Sequence, residues 1–418
     1  MIFNTLYNLT DYWFAGLLSD EALAGVSIAG SVFFLILSLG MGIQTGTSAV
    51  IAPEVGAGRE NRVSSWIDNV IGLSLVISLL AIVIGWFAAE PLVKLLGAEP
   101  HIAPLALDYV WIVLLGSAGF ILSFAAAGAL MALGDTQSNR NALAAGFLFN
   151  FVLNPLLIFW LDLGIRGLAL ATVIIKVATA VYLFRVLAKR LGRRHRPRFD
   201  SQYWLALARQ VFPASFNMLT IVLGGFITVS LIGRFGSEHV AGYSVGLRLE
   251  QVLLLPALGL NSAVMALAGQ NYGAGLMSRV EETYRVALRS GFVMALVSMP
   301  IMVFLSPAMM QLFTRSAEIA STGATYLRID AIAFFGYVVV FQSVAILQSL
   351  KQPLFPMFMG IARQLVVPAT INYLLVVVWG YPMLSVFYTI VTVVLVAAFI
   401  SHWYTSRQLR YLITQKTC

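Results

Sequence analysis

The 418-residue chain is 60% hydrophobic and only 11% charged, with a mean hydropathy of +0.88 and a net charge of +8. A soluble domain is nearer half apolar and a quarter charged, so a soluble enzyme or binding domain is excluded. The apolar residues run in stretches of about 20, the length that crosses a bilayer as helix, and the alternating ten-residue segments of an outer-membrane barrel are absent.

In chain order, the runs predict helices near 1–18, 22–52, 65–88, 104–133, 140–160 and 165–187. A second set follows near 212–234, 239–270, 282–305, 323–350, 354–378 and 383–404. The expected fold is therefore an all-α polytopic membrane protein with twelve spans. The first span has only about 18 residues before the turn Ser19-Asp20-Glu21, the short limit for crossing. That points to a reading frame that starts upstream of Met1, or to a truncated first helix.

The two sets are copies of each other. Residues 16–63 laid on 233–280, an offset of 217, match at 13 of 48 positions. Gly16 meets Gly233, Glu21 meets Glu238, and Gly25 meets Gly242. The endings pair as APEVGAG (52–58) and GQNYGAG (269–275), whose Gly56, Gly58, Gly273 and Gly275 call for tight turns. Tyr109/Tyr326, Gly119/Gly336 and Leu133/Leu350 continue the offset. Six spans return the chain to its starting side, so the repeats run parallel. Two six-helix bundles follow, over 1–188 and 212–418, joined by a basic linker and elbow at 189–211.

That linker, KRLGRRHRPRFDSQYW (189–204), has six Lys/Arg in its first ten residues, and Pro197 breaks any helix there. Residues 201–211 are expected to form an interfacial elbow. With both termini and the linker cytoplasmic, 18 Lys/Arg lie on that side and 5 outside (Lys94, Arg166, Arg234, Arg315 and Arg328). This asymmetry orients a multi-pass protein of a prokaryotic plasma membrane. It also accounts for the net charge without nucleic acid. The basic run reads as a topogenic signal, with lipid-headgroup recognition as the alternative. Cys418 is the sole cysteine, so no disulfide or cysteine metal site is expected. The four histidines are scattered near loops and ends.

Ionisable groups at membrane depth default to functional candidates. On the first span Asn4, Asn8 and Asp11 share a face at i, i+4, i+7. Asn150 and Asn154 on the fifth span, and Thr172 and Lys176 on the sixth, repeat the i, i+4 spacing. Together they predict an oxygen-rich pocket with one carboxylate and one ammonium. Asp11 and Lys176 could instead form a structural ion pair. The second copy lacks this cluster, having Thr228 where Asp11 would fall and Val367 in place of Asn150. Its in-span charges are read as Arg248 and Glu250, on different faces at i, i+2, and Arg363. Glu250 is expected either to line a cavity opposite Asp11 or to pair with Arg363. Asn4, Asn8, Arg248 and Glu250 are the substrate-cavity candidates. Small-residue runs, AAAGALMALG (125–134) and SLGMGIQTGTSA (38–49), are expected to let helices approach closely. Nucleotide-cradling and zinc-protease motifs are missing.

LYNLTDYWFAGLLSDEALAGVSIA (6–29), the APEVGAG/GQNYGAG pair, LMALGDTQ (130–137), NFVLNPLLIF (150–159) and GIRGLALATVI (164–174) resemble the multidrug and toxic compound extrusion (MATE) family. The resemblance spans essentially the whole chain. It implies two bundles with a central cavity that export organic, often cationic, compounds in exchange for entering Na⁺ or H⁺. It further implies a cation site at Asp11, Asn150, Asn154 and Thr172, which are the metal ligands if Na⁺ is the ion. The family's fifth-helix acid is here Asn154, and Lys176 adds a positive charge one turn from Thr172. Both changes disfavour Na⁺ and leave H⁺ as the expected coupling ion. The lack of a span-seven acid in NMLTIVLGGFITV (217–229) favours the branch that includes DNA-damage-inducible protein F. No cofactor is expected, and the expected state is a monomer. A flippase for a lipid-linked precursor is the competing reading; a membrane enzyme has no nucleophile–base constellation to support it.

Overall fold

The computed structural model describes residues 2–417, with side chains described at position 7 and from 9 to 415. Asn4, Asn8 and Cys418 lie outside these described side chains. The described chain is almost entirely helical, as a bilayer requires of a backbone that must satisfy its own hydrogen bonds. The first half contains α1 (Ile2–Leu18), α2 (Asp20–Gly56), α3 (Glu60–Leu95), α4 (Ala103–Leu115), α5 (Ser117–Ala132), α6 (Gln137–Pro155) and α7 (Gly164–Arg190). The second contains α8 (Ser201–Gly233), α9 (Ser237–Gly273), α10 (Met277–Phe304), α11 (Ser306–Gln311), α12 (Ala317–Asp330), α13 (Phe334–Ser349), α14 (Leu354–Ile361), α15 (Val367–Asn372) and α16 (Leu384–Thr417).

Among the described residues, ten helical segments are long and apolar enough to cross a membrane, and the bent pair α4/α5 makes eleven. α1, at 17 residues, is the remaining and shortest candidate for the twelve expected spans. The span expected at 104–133 is broken at Gly116, where α4 and α5 meet at 51°. A side chain at Gly116 would collide with the Val173 methyls on α7, so a bare backbone is what lets the bend pack. The tenth span is interrupted by a 3₁₀ turn, Ala331–Ala333. The fifth and eleventh spans carry π-helical turns at Leu156–Trp160, Ala362–Val366 and Tyr373–Val378. Such wider turns re-aim side chains and gather at functional sites.

The repeat is visible in the backbone. α2 and α9 are both 37 residues long and end on the repeat-related Gly56 and Gly273. Two residues on, Gly58 and Gly275 both take the left-handed conformation, with φ of 67° and 80°. At the start of α2, Ser19 Oγ accepts from the Ala22 N–H at 3.0 Å, and Asp20 and Glu21 occupy the first turn. The helix thus starts two residues before the expected 22, because Ser19 caps it and the two acids suit its first turn.

Two compact units result, Met1–Ser215 and Phe216–Cys418. The segment 201–211, expected as a separate elbow, is continuous with the seventh span, because α8 runs unbroken through Pro213. The first part of α8 packs with the first unit: a Cβ on Gly46 would sit 2.6 Å from Val211 Cγ2, and one on Gly42 would sit 2.7 Å from the Ser215 nitrogen. The small residues of α5 act likewise, since a Cβ on Gly128 would run into the Gln44 carbonyl oxygen of α2. Gly128→Ala is therefore expected to lower stability by about 1–3 kcal/mol through overpacking. A fall in the unfolding temperature of detergent-solubilised protein would register it, and an unchanged value would refute the close packing of α2 on α5.

Candidate functional site

Asp11 is the centre of a buried polar cluster in the first unit. α1 packs on α6 and α7, and these helices bring Asp11 to the predicted Asn150/Asn154 and Thr172/Lys176 stripes. Asn150 Nδ2 donates to Asp11 Oδ1 at 2.8 Å, and Asn154 Nδ2 reaches the same oxygen at 3.1 Å. Asn154 Nδ2 also reaches Asn150 Oδ1 at 3.0 Å, so the two amides brace each other. The other carboxylate oxygen, Oδ2, accepts from Thr172 Oγ1 at 3.1 Å. All four side chains are buried. Asn154 sits one residue before Pro155 and the π-helical turn that follows. Asn154 Oδ1 is left without a hydrogen-bond partner.

Lys176 is also buried but forms no ion pair with Asp11. The alternative of a structural Asp11–Lys176 bridge is thereby corrected. The Lys176 ammonium instead stands over the Tyr7 and Phe120 rings, 5.6 and 5.9 Å from their centroids. Cation–π attraction in a dry site holds it there, close enough to act on the Asp11 charge. The pocket thus holds one carboxylate, saturated with hydrogen-bond donors, and one ammonium held apart from it.

The second unit has its own buried acid cluster, larger than anticipated. Glu250 is buried on α9, and its Oε2 accepts from the Tyr326 hydroxyl of α12. Asp330, four residues beyond Tyr326 on the same helix, lies within electrostatic reach of Glu250 and accepts from the Tyr337 hydroxyl at 3.1 Å. Tyr243, Tyr326 and Phe387 pack as an aromatic wall, with centroids 4.9 to 6.1 Å apart. Arg363, in the π-helical turn of the eleventh span, lies 5.9 Å from the Tyr337 ring centroid. It makes no ion pair with Glu250. Arg248 is exposed, on a different face from buried Glu250 as the i, i+2 spacing implied.

Asp330 is the residue that sequence reasoning passed over. Its signal was a carboxylate inside the run 323–350, masked by its place near Arg328 at the start of that run. A second correction concerns Thr172. Its repeat partner is Thr389, so the hydroxyl does recur in the second copy, where it donates to the Ser385 carbonyl at 2.8 Å. Tyr109 lies within electrostatic reach of Asp11, and its repeat counterpart Tyr326 donates to Glu250. The acid comes from α1 in the first copy and from α9 with α12 in the second.

Among the described residues, no group of three or more His, Cys, Asp or Glu side chains is arranged to hold a metal. What the first cluster offers is oxygen from Asp11, Asn150, Asn154 and Thr172. Both amides, however, aim N–H at the carboxylate, and they would have to turn over to act as cation ligands.

Comparison with known proteins agrees with this architecture. The chain is 26% identical over 371 residues to the FAD transporter of Shewanella oneidensis, covering 85% of this chain and 81% of the relative. It is 27% identical to the probable multidrug resistance protein YoeA of Bacillus subtilis, over 72% of this chain and 67% of that one. To the probable multidrug resistance protein NorM of Thermotoga maritima it is 26% identical, over 76% and 70%. Among solved structures, a MATE protein in the bent conformation superposes with a TM-score of 0.91 at 24% identity, covering 100% of this chain and 94% of that one. The family model MatE matches residues 1–156 and 213–374, one block in each copy of the repeat, and the chain belongs to the MatE family.

Proposed function

We propose that the protein is a secondary antiporter that exports amphipathic, often cationic, organic compounds in exchange for an entering cation, with H⁺ as the coupling ion. The observation that carries the ion assignment is the set of donors on Asp11. Asn150, Asn154 and Thr172 all point hydrogen at the carboxylate. That arrangement suits Na⁺ poorly, because Na⁺ needs oxygens turned inward, and it leaves a proton as the cation the carboxylate can take up. The Lys176 ammonium opposes a second cation in the same pocket. Proton arrival at Asp11 then favours one state of the carrier, to the extent that the two states differ in proton affinity.

The wild-type test uses proteoliposomes loaded with ethidium as the probe cation. A pH gradient is expected to drive its movement with no requirement for Na⁺. Movement driven by a Na⁺ gradient alone would overturn the ion assignment, and no movement under either gradient would overturn the antiport reading. FAD belongs in the same assay, because a relative at 26% identity is named a FAD transporter. The proposed setting is the prokaryotic plasma membrane, with both termini and the linker in the cytoplasm and the chain acting as a monomer.

Within the second unit, Glu250 and its aromatic wall are proposed to receive the positive end of a cationic substrate. Glu250→Gln keeps an acceptor for Tyr326 but removes the charge. It is expected to raise the ethidium concentration for half-maximal transport about tenfold, the worth of one charge-assisted contact of ~1.5 kcal/mol. An unchanged concentration dependence would remove Glu250 from substrate binding.

A further inference from the structure

The basic linker is fastened to the first unit by one carboxylate. Asp68 on α3, itself buried, takes Arg193 as an ion pair and His195 Nδ1 at 2.9 Å. The same carboxylate accepts the Arg196 N–H at 3.3 Å, and the Asp68 carbonyl accepts the Arg198 N–H at 3.0 Å. Next along α3, Asn69 Oδ1 accepts the Asp200 N–H at 2.9 Å. One turn further, Gly72 leaves room for the Arg198 carbonyl, into which a Cβ would run. A segment held by a carboxylate, three main-chain N–H groups and a close backbone contact is not a loose tether.

The clamp has a second consequence. It engages the side chains at 193 and 195 but only the backbone at 196 and 198. The side chains of 194, 196 and 198 are left outside the clamp and form the free edge of the segment. Arg194, Arg196 and Arg198 are all exposed, and none has an acidic partner among the described residues. Immediately after them Phe199 is 65% exposed and rests its ring on Trp204, 5.4 Å between centroids, at the start of α8. Aromatic side chains of this kind settle at the headgroup level of a bilayer.

We infer that this edge is a binding surface for anionic phospholipid headgroups on the linker side of the membrane. The three guanidiniums engage lipid phosphates and Phe199 enters the acyl boundary. A topogenic signal needs only the count of positive charges near the span ends, whereas here the backbone that carries the charges is pinned by a dedicated buried acid. Guanidinium forks match phosphate oxygens two at a time. The assignment does not depend on which compound or coupling ion the protein carries.

The test measures lipid retained by purified full-length protein in detergent, where membrane orientation no longer matters. The probes are phosphatidylglycerol and phosphatidylcholine, and the readout is native mass spectrometry. Wild type is expected to prefer phosphatidylglycerol. The variant Arg194→Gln/Arg196→Gln/Arg198→Gln is expected to lose that preference by on the order of a hundredfold, the combined effect of three cations at an anionic surface. Asp68→Asn keeps all three arginines but slackens the clamp, and it is expected to lose about tenfold. Equal retention of both lipids by wild type, or wild-type retention by the triple variant, would overturn the inference in favour of a topogenic run alone. Wild-type retention by Asp68→Asn would overturn the role of the clamp. Inorganic phosphate is expected not to displace the lipid, and displacement would show a soluble anion site instead.

Discussion

Asp11→Asn is expected to abolish transport driven by a pH gradient, by on the order of a hundredfold, the upper range of coupling between two sites. The structure indicates why folding should survive. The one side-chain oxygen left at position 11 would keep both amide contacts now made by Asn150 and Asn154 at 2.8 and 3.1 Å. The new amide nitrogen would face Thr172, whose hydroxyl already has a second acceptor in the Leu168 carbonyl at 3.2 Å. Thr172 can therefore accept from the new amide while donating to Leu168, and no buried group loses its partner. What disappears is the one carboxylate of this cluster, the group that can trade a negative charge for a proton. The measurements are ethidium movement in proteoliposomes under an imposed pH gradient and unfolding temperature in detergent. An Asp11→Asn protein that is stable and fully active would sink the coupling role of Asp11.

Much of this site is legible in sequence because its geometry is local. Asn150 and Asn154 face the same way for the same reason that any i, i+4 pair does, and Thr172 and Lys176 follow suit. The repeat offset of 217 adds the comparison that isolates Asp11, since Thr228 stands at its matching place. Two kinds of information resist such reading. One is the direction of a polar group: whether Lys176 turns to Asp11 or to the Tyr7 and Phe120 rings depends on packing across three helices. The other is pairing between distant elements. Asp330 acquires meaning only when α12 sets it against Glu250 of α9, and Asp68 only when the linker folds back onto α3. The helix breaks are intermediate cases. Pro155 and Pro368 mark the neighbourhoods of the π-helical turns, but the bend at Gly116 follows from its contact with Val173 on a helix more than fifty residues away.

Lys176 is where this chain's first cluster departs from a plain cation site, and Lys176→Met tests what the ammonium does. Methionine preserves the length of the stem, and its sulfur packs well against Tyr7 and Phe120, so the fold should hold. The substitution leaves Asp11 as a buried carboxylate with no cation nearby, which raises the cost of keeping it charged. The amides of Asn150 and Asn154 can compensate by turning their oxygens inward. Asn154 Oδ1 already lacks a partner, and with the Asp11, Asn150 and Thr172 oxygens it completes a set that a hard cation accepts. Ethidium movement by the Lys176→Met protein is therefore expected to become Na⁺-stimulated, by about tenfold, if the cation recovers even ~1.4 kcal/mol of that cost. Lys176→Arg keeps the charge and a stronger cation–π donor over the same rings, and it is expected to stay indifferent to Na⁺. A Lys176→Met protein indifferent to Na⁺ would show that the ammonium does not exclude it. A Na⁺ response in both variants would place selectivity in the shape of the pocket instead. The expected split between the two would assign ion choice to a single tethered charge, standing where another chain could hold a free one.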